Sequence, residues 1–156
     1  MNIRLCYASK RNENSDDLLQ DLRDILTEAR DFNTQHCIYG VLYYADNAFF
    51  QCLEGEQAIV ESLFEKIKTD ARHLEVKHFG TDPIDQYTFK RWSMKYVQRN
   101  TNIETFFLNL GENSFNPGCL EPNSLNAFLE ELLLAEQTTL PVAKKVGMVN
   151  RGVNPF

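Results

Sequence analysis

The chain has 156 residues, of which 43% are hydrophobic and 24% charged, and its net charge is −6. This composition supports one domain with a sizeable core and excludes a disordered chain. The acidic balance argues against a large nucleic-acid footprint, which needs clustered Lys and Arg.

Asn2 to Ala8 alternates, with Ile3, Leu5 and Tyr7 on one face and Arg4, Cys6 and Ala8 on the other, and predicts a strand. Tyr7 closes it with a hydroxyl on the apolar side, and Ser9 to Asn14 reads as a loop. Ser15-Asp16-Asp17 reads as a helix start, an N-cap hydroxyl followed by two first-turn carboxylates. Leu18, Leu22, Ile25, Leu26 and Ala29 recur at helical spacing, so the helix is expected from Ser15 to about Phe32. Asn33 then has the ordinary reading of a C-cap, and Arg30 that of a solvated cation. Ile38 to Tyr44 is the second strand, and Ala45-Asp46-Asn47-Ala48 is a turn that tolerates positive φ.

The third strand, Phe49-Phe50-Gln51-Cys52-Leu53-Glu54-Gly55, raises the sharpest chemical question. Alternation places Phe49, Gln51 and Leu53 together, so the Gln51 amide sits among apolar neighbours. A buried amide left unpaired costs roughly 1–3 kcal/mol. Either a backbone carbonyl or water satisfies it, or a polar ligand ring does. Gly55-Glu56 opens a second helix with Val60, Leu63, Phe64 and Ile67 on its apolar face, ending near Asp70-Ala71-Arg72-His73. Leu74 to Thr81 is a fourth strand, Asp82 to Lys90 a loop, and Trp92 to Gln98 a fifth strand with Trp92, Met94 and Tyr96 on one face where no bulge interrupts it. Two more helices are expected, over Asn102 to Leu110 and over Ser124 to Gln137, the second capped by Ser124.

This order predicts an α+β, ferredoxin-like βαββαββ fold with a five-stranded mixed sheet. Two helices cover one face, and the C-terminal helices cover the other. The expected divisions are a core over 1–98, a helical cap over 99–137 and a tail over 138–156.

Enzyme templates are missing: no Gly-x-Ser-x-Gly elbow, no Walker loop, no Gly-x-Gly-x-x-Gly after strand one. Glu54 and Glu56 read as helix N-terminal charges rather than an acid/base pair. His36 reads as loop, His78 as strand and His73 as a helix end. Cys6, Cys37, Cys52 and Cys119 form no Cys-x-x-Cys pair, so zinc and thiol-redox motifs lack support. No signal-peptide core and no apolar run of membrane-spanning length is present, and a cytoplasmic protein is expected. What remains is a set of polar groups at element ends: Tyr7, Asn33, Gln51, Arg72 and His73. A flat ligand between the two helices would set its polar edge against Asn33 and Gln51.

The segments Tyr7-Ala8-Ser9, Ala29-Arg30-Asp31-Phe32-Asn33, Gly40-Val41-Leu42-Tyr43-Tyr44, Phe50-Gln51-Cys52-Leu53-Glu54-Gly55, Asp70-Ala71-Arg72-His73 and Trp92-Ser93-Met94 follow in order over the first hundred positions. Together they resemble a BLUF domain, the blue-light sensors that use FAD, of the short type in which two helices follow the core. The resemblance implies FAD as cofactor and a photoreceptor, not an enzyme. It implies that Tyr7 donates an electron and a proton, and that Gln51 bridges Tyr7 and the isoalloxazine ring. It implies that Asn33 binds the ring's pyrimidine edge, that Phe32 and Ile25 contact the ring, and that Arg30, Arg72 and His73 are further flavin contacts. Trp92 and Met94 belong to the segment that responds to light. Output would pass to a protein partner such as a transcription regulator, or alter self-association as a homo-oligomer, with no direct nucleic-acid or membrane contact. Cys37, Tyr39 and Tyr87 depart from the usual Gly, Thr and Arg. The rival readings are a cofactor-free ferredoxin-like interaction module and a small flavin-dependent reductase.

Overall fold

The computed structural model describes residues 1–14 and 17–141. Its elements are β1 (Asn2–Arg11), α1 (Leu18–His36), β2 (Tyr39–Ala45), β3 (Ala48–Glu56), α2 (Gln57–Lys68), β4 (His73–Pro83), β5 (Lys95–Gln98), α3 (Thr101–Asn109), a 3-10 turn at Pro117–Cys119, and α4 (Pro122–Leu134). The five strands form one sheet in the order β4-β1-β3-β2-β5. All pairings are antiparallel except β2 with β5. This is the expected mixed five-stranded α+β arrangement.

Alternation divides the strands between two cores. Leu5, Tyr7, Leu42, Phe49, Leu53 and Tyr96 pack with Leu22, Ile25 and Leu26 of α1 and Val60 and Phe64 of α2. Cys6, Val41, Tyr43, Phe50, Cys52 and Val97 pack with Phe107 of α3 and Phe128 and Leu132 of α4. The central strands are therefore apolar on both sides, and the helices after β5 cover the face that α1 and α2 leave bare. Gly40 is demanded by close approach: a Cβ there would lie 2.1 Å from the Cys52 carbonyl oxygen.

Several boundaries differ from expectation. Asp17 caps α1 by accepting from the Gln20 N–H, while Ser15 and Asp16 lie outside the described residues. The helix runs on to His36, so Asn33 is not its C-cap and His36 is not in a loop; Cys37 takes the left-handed position, φ 55°. Strand β1 continues through Ser9 to Arg11 because it pairs with both β3 and β4. Ser124 is not the cap of α4. Glu121 is, and Ser124 stands three residues in, its hydroxyl accepting from the Glu121 N–H. The tail beyond α4 begins in contact with the sheet: the Thr138 N–H donates to the Tyr96 carbonyl at 2.7 Å. The rest of the expected tail, 142–156, lies outside the described residues.

Glu54 is the clearest correction. It is not a helix N-terminal charge; Glu56 fills that role, accepting from the N–H groups of Ala58 and Ile59. Glu54 is 0% exposed. Its Oε1 accepts from the N–H groups of Thr88 and Phe89, both at 2.8 Å, and its Oε2 from Arg4 Nε and Nη2 at 3.1 and 3.0 Å. The carboxylate thus ties β3 to the loop between β4 and β5. That loop bends at Ser93 and Met94 and delays β5 to Lys95, which breaks the two-residue alternation. Met94 and Tyr96 point to the α1/α2 side and Trp92 packs with the α3/α4 core, so the three do not share a face.

Candidate functional site: a cleft between the first two helices

Tyr7 and Gln51 are direct cross-strand partners on β1 and β3. Both side chains face α1 and α2, and both are almost fully buried. The Tyr7 hydroxyl donates to Gln51 Oε1. The other end of the same amide, Nε2, donates to Met94 Sδ at 3.7 Å. Gln51 is therefore oriented from both ends, its oxygen toward a phenol and its amino group toward a thioether.

A cavity of ≈ 280 Å³ opens beside this pair, between α1 and α2. Tyr7, Ile25, Phe32, Asn33, Gln51, Arg72 and His73 line it, so seven of the residues expected around a ligand converge on one space. Asn33 is 0% exposed. Its Nδ2 donates to the Ser93 carbonyl at 2.7 Å, while its Oδ1 is buried without a partner. Such an atom costs on the order of 1–3 kcal/mol unless a donor meets it. The walls are apolar, with Ile25, Leu53, Leu63 and Ile67, and the mouth carries Glu28, Lys66, Asp70 and Arg72. A flat heteroaromatic ring with an N–H donor at its edge satisfies both features.

Electrostatics hold the donors in place. Burial raises the Tyr7 pKa, and Asp70 adds to the effect, so Tyr7 stays a neutral phenol and a donor. Burial lowers the His73 pKa to about 4, so at neutral pH its ring is uncharged and bonded to Ser9 Oγ at 2.8 Å. Arg72 is held by Asp70 at 2.6 Å and by Glu28 at 2.9 Å. Its hydrogen bonds to Asp70 raise its pKa, and it presents a fixed positive charge at the mouth.

Three of the expected residues stand elsewhere. Arg30 is neither solvated nor on the cavity wall; its Nε donates to the Met94 carbonyl at 3.1 Å. Met94 touches Gln51 rather than the cavity. Trp92 lies on the far side of the sheet, with Phe89 and Lys95. Reading the sequence missed Leu63, Lys66 and Ile67 as site residues, although their i, i+3, i+4 spacing already placed them on one helix face.

A family model described as sensors of blue-light using FAD matches residues 3–95. The chain belongs to the BLUF family. The solved structure of BlsA in its ground state is 70% identical, with a TM-score of 0.88, covering 97% of this chain and 100% of the other. BlsA in its photo-activated state is likewise 70% identical, with a TM-score of 0.87 over 89% and 99% of the two chains. The dark-state structure of BlrB, a BLUF protein, is 30% identical, with a TM-score of 0.63 over 70% and 80%. Among curated proteins, photoactivated adenylate cyclase subunit alpha of Euglena gracilis is 32% identical over 92 residues, which is 59% of this chain and 9% of that protein. The chain thus spans about a tenth of the length of that cyclase.

Within the BLUF family the three departures now have a structural setting. Cys37 occupies a left-handed position, which explains why glycine is at ease there. Tyr39 and Tyr87 pack on each other, ring centroids 4.8 Å apart. None of the three lines the cavity.

Proposed function

We propose that this BLUF protein is a blue-light photoreceptor that holds FAD in the cleft between α1 and α2 and signals by rearranging the Tyr7–Gln51 hydrogen bond. The observation that carries the reading is that bond, set beside a cavity whose wall offers the unpaired Asn33 Oδ1. Asn33 would accept from the pyrimidine N–H of the flavin, Ile25 and Phe32 would flank its ring, and Arg72 and His73 would contact it further out. Arg30 acts through Met94 rather than on the ring.

A bound flavin supplies absorption of blue light and an excited state that accepts an electron. Tyr7 is the residue placed to lose one, its Oη proton passing to Gln51 Oε1 along the existing bond. Once Tyr7 has regained both the electron and the proton it would be a phenol again, with the Gln51 amide left rotated or tautomerised. The rearranged amide would turn a donor toward the cavity, where a bound flavin would accept it and its visible band would move to the red. One exchanged hydrogen bond is worth about 0.5–1.5 kcal/mol, against the ~5.5 kcal/mol that inverts a two-state population from 1:99 to 99:1. Repacking of Met94 and β5 supplies the remainder.

The output passes to a partner protein in the cytoplasm, a transcription regulator being the class proposed, or to a change in self-association. The core over 1–98 senses, and the cap over 99–137 transmits. No helix among the described residues is long and apolar enough to cross a membrane. The deciding experiment is a visible spectrum before and after blue light, followed by chromatography of the released flavin to separate FAD from FMN. A band that moves to the red and recovers in darkness is expected. Gln51→Leu is expected to keep the flavin and lose the shift; a normal shift in that variant would refute the role given to Gln51.

A further inference from the structure

Lys95 opens β5, and alternation sends its side chain to the face opposite Met94 and Tyr96. It is 1% exposed. Its ammonium donates to the carbonyls of Leu132 and Leu133, both at 2.9 Å, and lies 4.3 Å from the centroid of the Trp92 ring. Those carbonyls belong to the last turn of α4, where a helix leaves its C=O groups without internal partners. Two of the three ammonium protons are used on the helix end, and the cation rests on the negative face of an indole. Among the described residues no carboxylate forms an ion pair with it. Its counter-charge is the negative end of the α4 dipole.

Lys95 is also the immediate neighbour of Met94, the residue that receives the Gln51 amino group and whose carbonyl is held by Arg30. The last residue of the bend and the first residue of the edge strand β5 therefore face opposite ways, Met94 onto the Gln51 amide and Lys95 onto α4. We propose that Lys95 is the positioning residue that carries a change at the Gln51–Met94 contact through the sheet to the C-terminal turn of α4. This rests on the photoreceptor reading above and names the route by which the signal leaves the site. When the Gln51 amino group turns away, Met94 loses its side-chain tie, because a thioether has no proton to offer an amide oxygen. Displacement of residue 94 moves the backbone of residue 95. A cation bound to two fixed carbonyls cannot follow without giving one up, and the last turn of α4 then opens.

The test uses the full chain with its flavin. Visible spectra and amide hydrogen exchange across residues 131–136 are recorded in darkness and under continuous blue light. The unaltered chain is expected to show the red shift together with roughly 3- to 10-fold faster exchange in the last turn of α4, the factor that one hydrogen bond represents. Lys95→Met is expected to keep the red shift, to exchange faster at that turn already in darkness, and to lose the light–dark difference. Lys95→Arg, which keeps charge and donors, retains the difference. A Lys95→Met variant with the same light–dark difference as the unaltered chain overturns the proposal. So does an unaltered chain that shifts its spectrum without any change at α4, which decides the matter even where Lys95→Met does not fold. An unaltered chain with no spectral shift fails at the earlier step, and it is the photoreceptor reading that then falls.

Discussion

At the scale of single residues, the site is built from side chains whose protonation is set by burial. Tyr7 is useful because it is a neutral phenol, and His73 because it is a neutral imidazole bonded to Ser9. The His73 pKa lies at about 4 in the folded chain against 6.5 in its absence. Between those values the unfolded chain binds a proton that the folded chain refuses. The stability contributed by neutral His73 is therefore complete above pH 6.5 and is lost as the pH falls toward 4, a change of about 3 kcal/mol. Urea unfolding measured across that range is expected to show the loss, and His73→Gln to flatten it. Cys37 makes the opposite case, since its side chain is exposed and its backbone is left-handed at φ 55°. A non-glycine residue there costs roughly 1 kcal/mol. Cys37→Gly is expected to raise the midpoint of thermal unfolding while leaving the flavin spectrum unchanged.

At the scale of elements, the loop between β4 and β5 is held in place from several sides. Glu54 accepts from the N–H groups of Thr88 and Phe89, Asn33 donates to the Ser93 carbonyl, and Arg30 donates to the Met94 carbonyl. The segment that holds Met94 against Gln51 is thus anchored to β3 and to α1. Removing the Glu54 carboxylate leaves the buried Phe89 N–H and the part-buried Thr88 N–H without their partner, and leaves the Arg4 guanidinium only Thr88 Oγ1. Glu54→Ala is expected to cost roughly 3–5 kcal/mol, the range for breaking a buried ion pair from one side. Denaturant unfolding measures the cost, and dark recovery of the red-shifted band is expected to change with it, because Met94 is less firmly placed.

At the scale of the whole molecule, one sheet separates two cores. One borders the cavity between α1 and α2, and the other is built on the aromatic cluster around Phe128, which packs edge-on against Tyr43, Phe50 and Phe107. Phe128 is 0% exposed, and it fixes α4 on the sheet as Lys95 fixes the end of that helix. Phe128→Ala is expected to cost about 3–5 kcal/mol. Calorimetry would register this as a lower melting temperature. Far from the cavity, the same variant is expected to retain flavin and the red shift at temperatures where it stays folded.

The alternation of β1 and β3 and the spacing in α1 and α2 determined the fold class, because burial of an apolar face dictates period in each element. They also set Tyr7 among the apolar residues of its own strand and Gln51 among those of its own. Asn33 was legible as a polar residue at an element end, but its unpaired Oδ1 was not, because that depends on the Ser93 carbonyl claiming its other atom from sixty residues away. Glu54 and Lys95 were beyond local reading for the same reason. One looks like a helix-start charge and the other like an ordinary strand lysine until the loop after β4 and the end of α4 are brought against them. Trp92 was misplaced because a bend leaves no mark in a two-residue repeat. Local periodicity determined which residues turn inward. Only the tertiary structure decided which partners they meet there, since a buried polar group takes its role from whatever satisfies it.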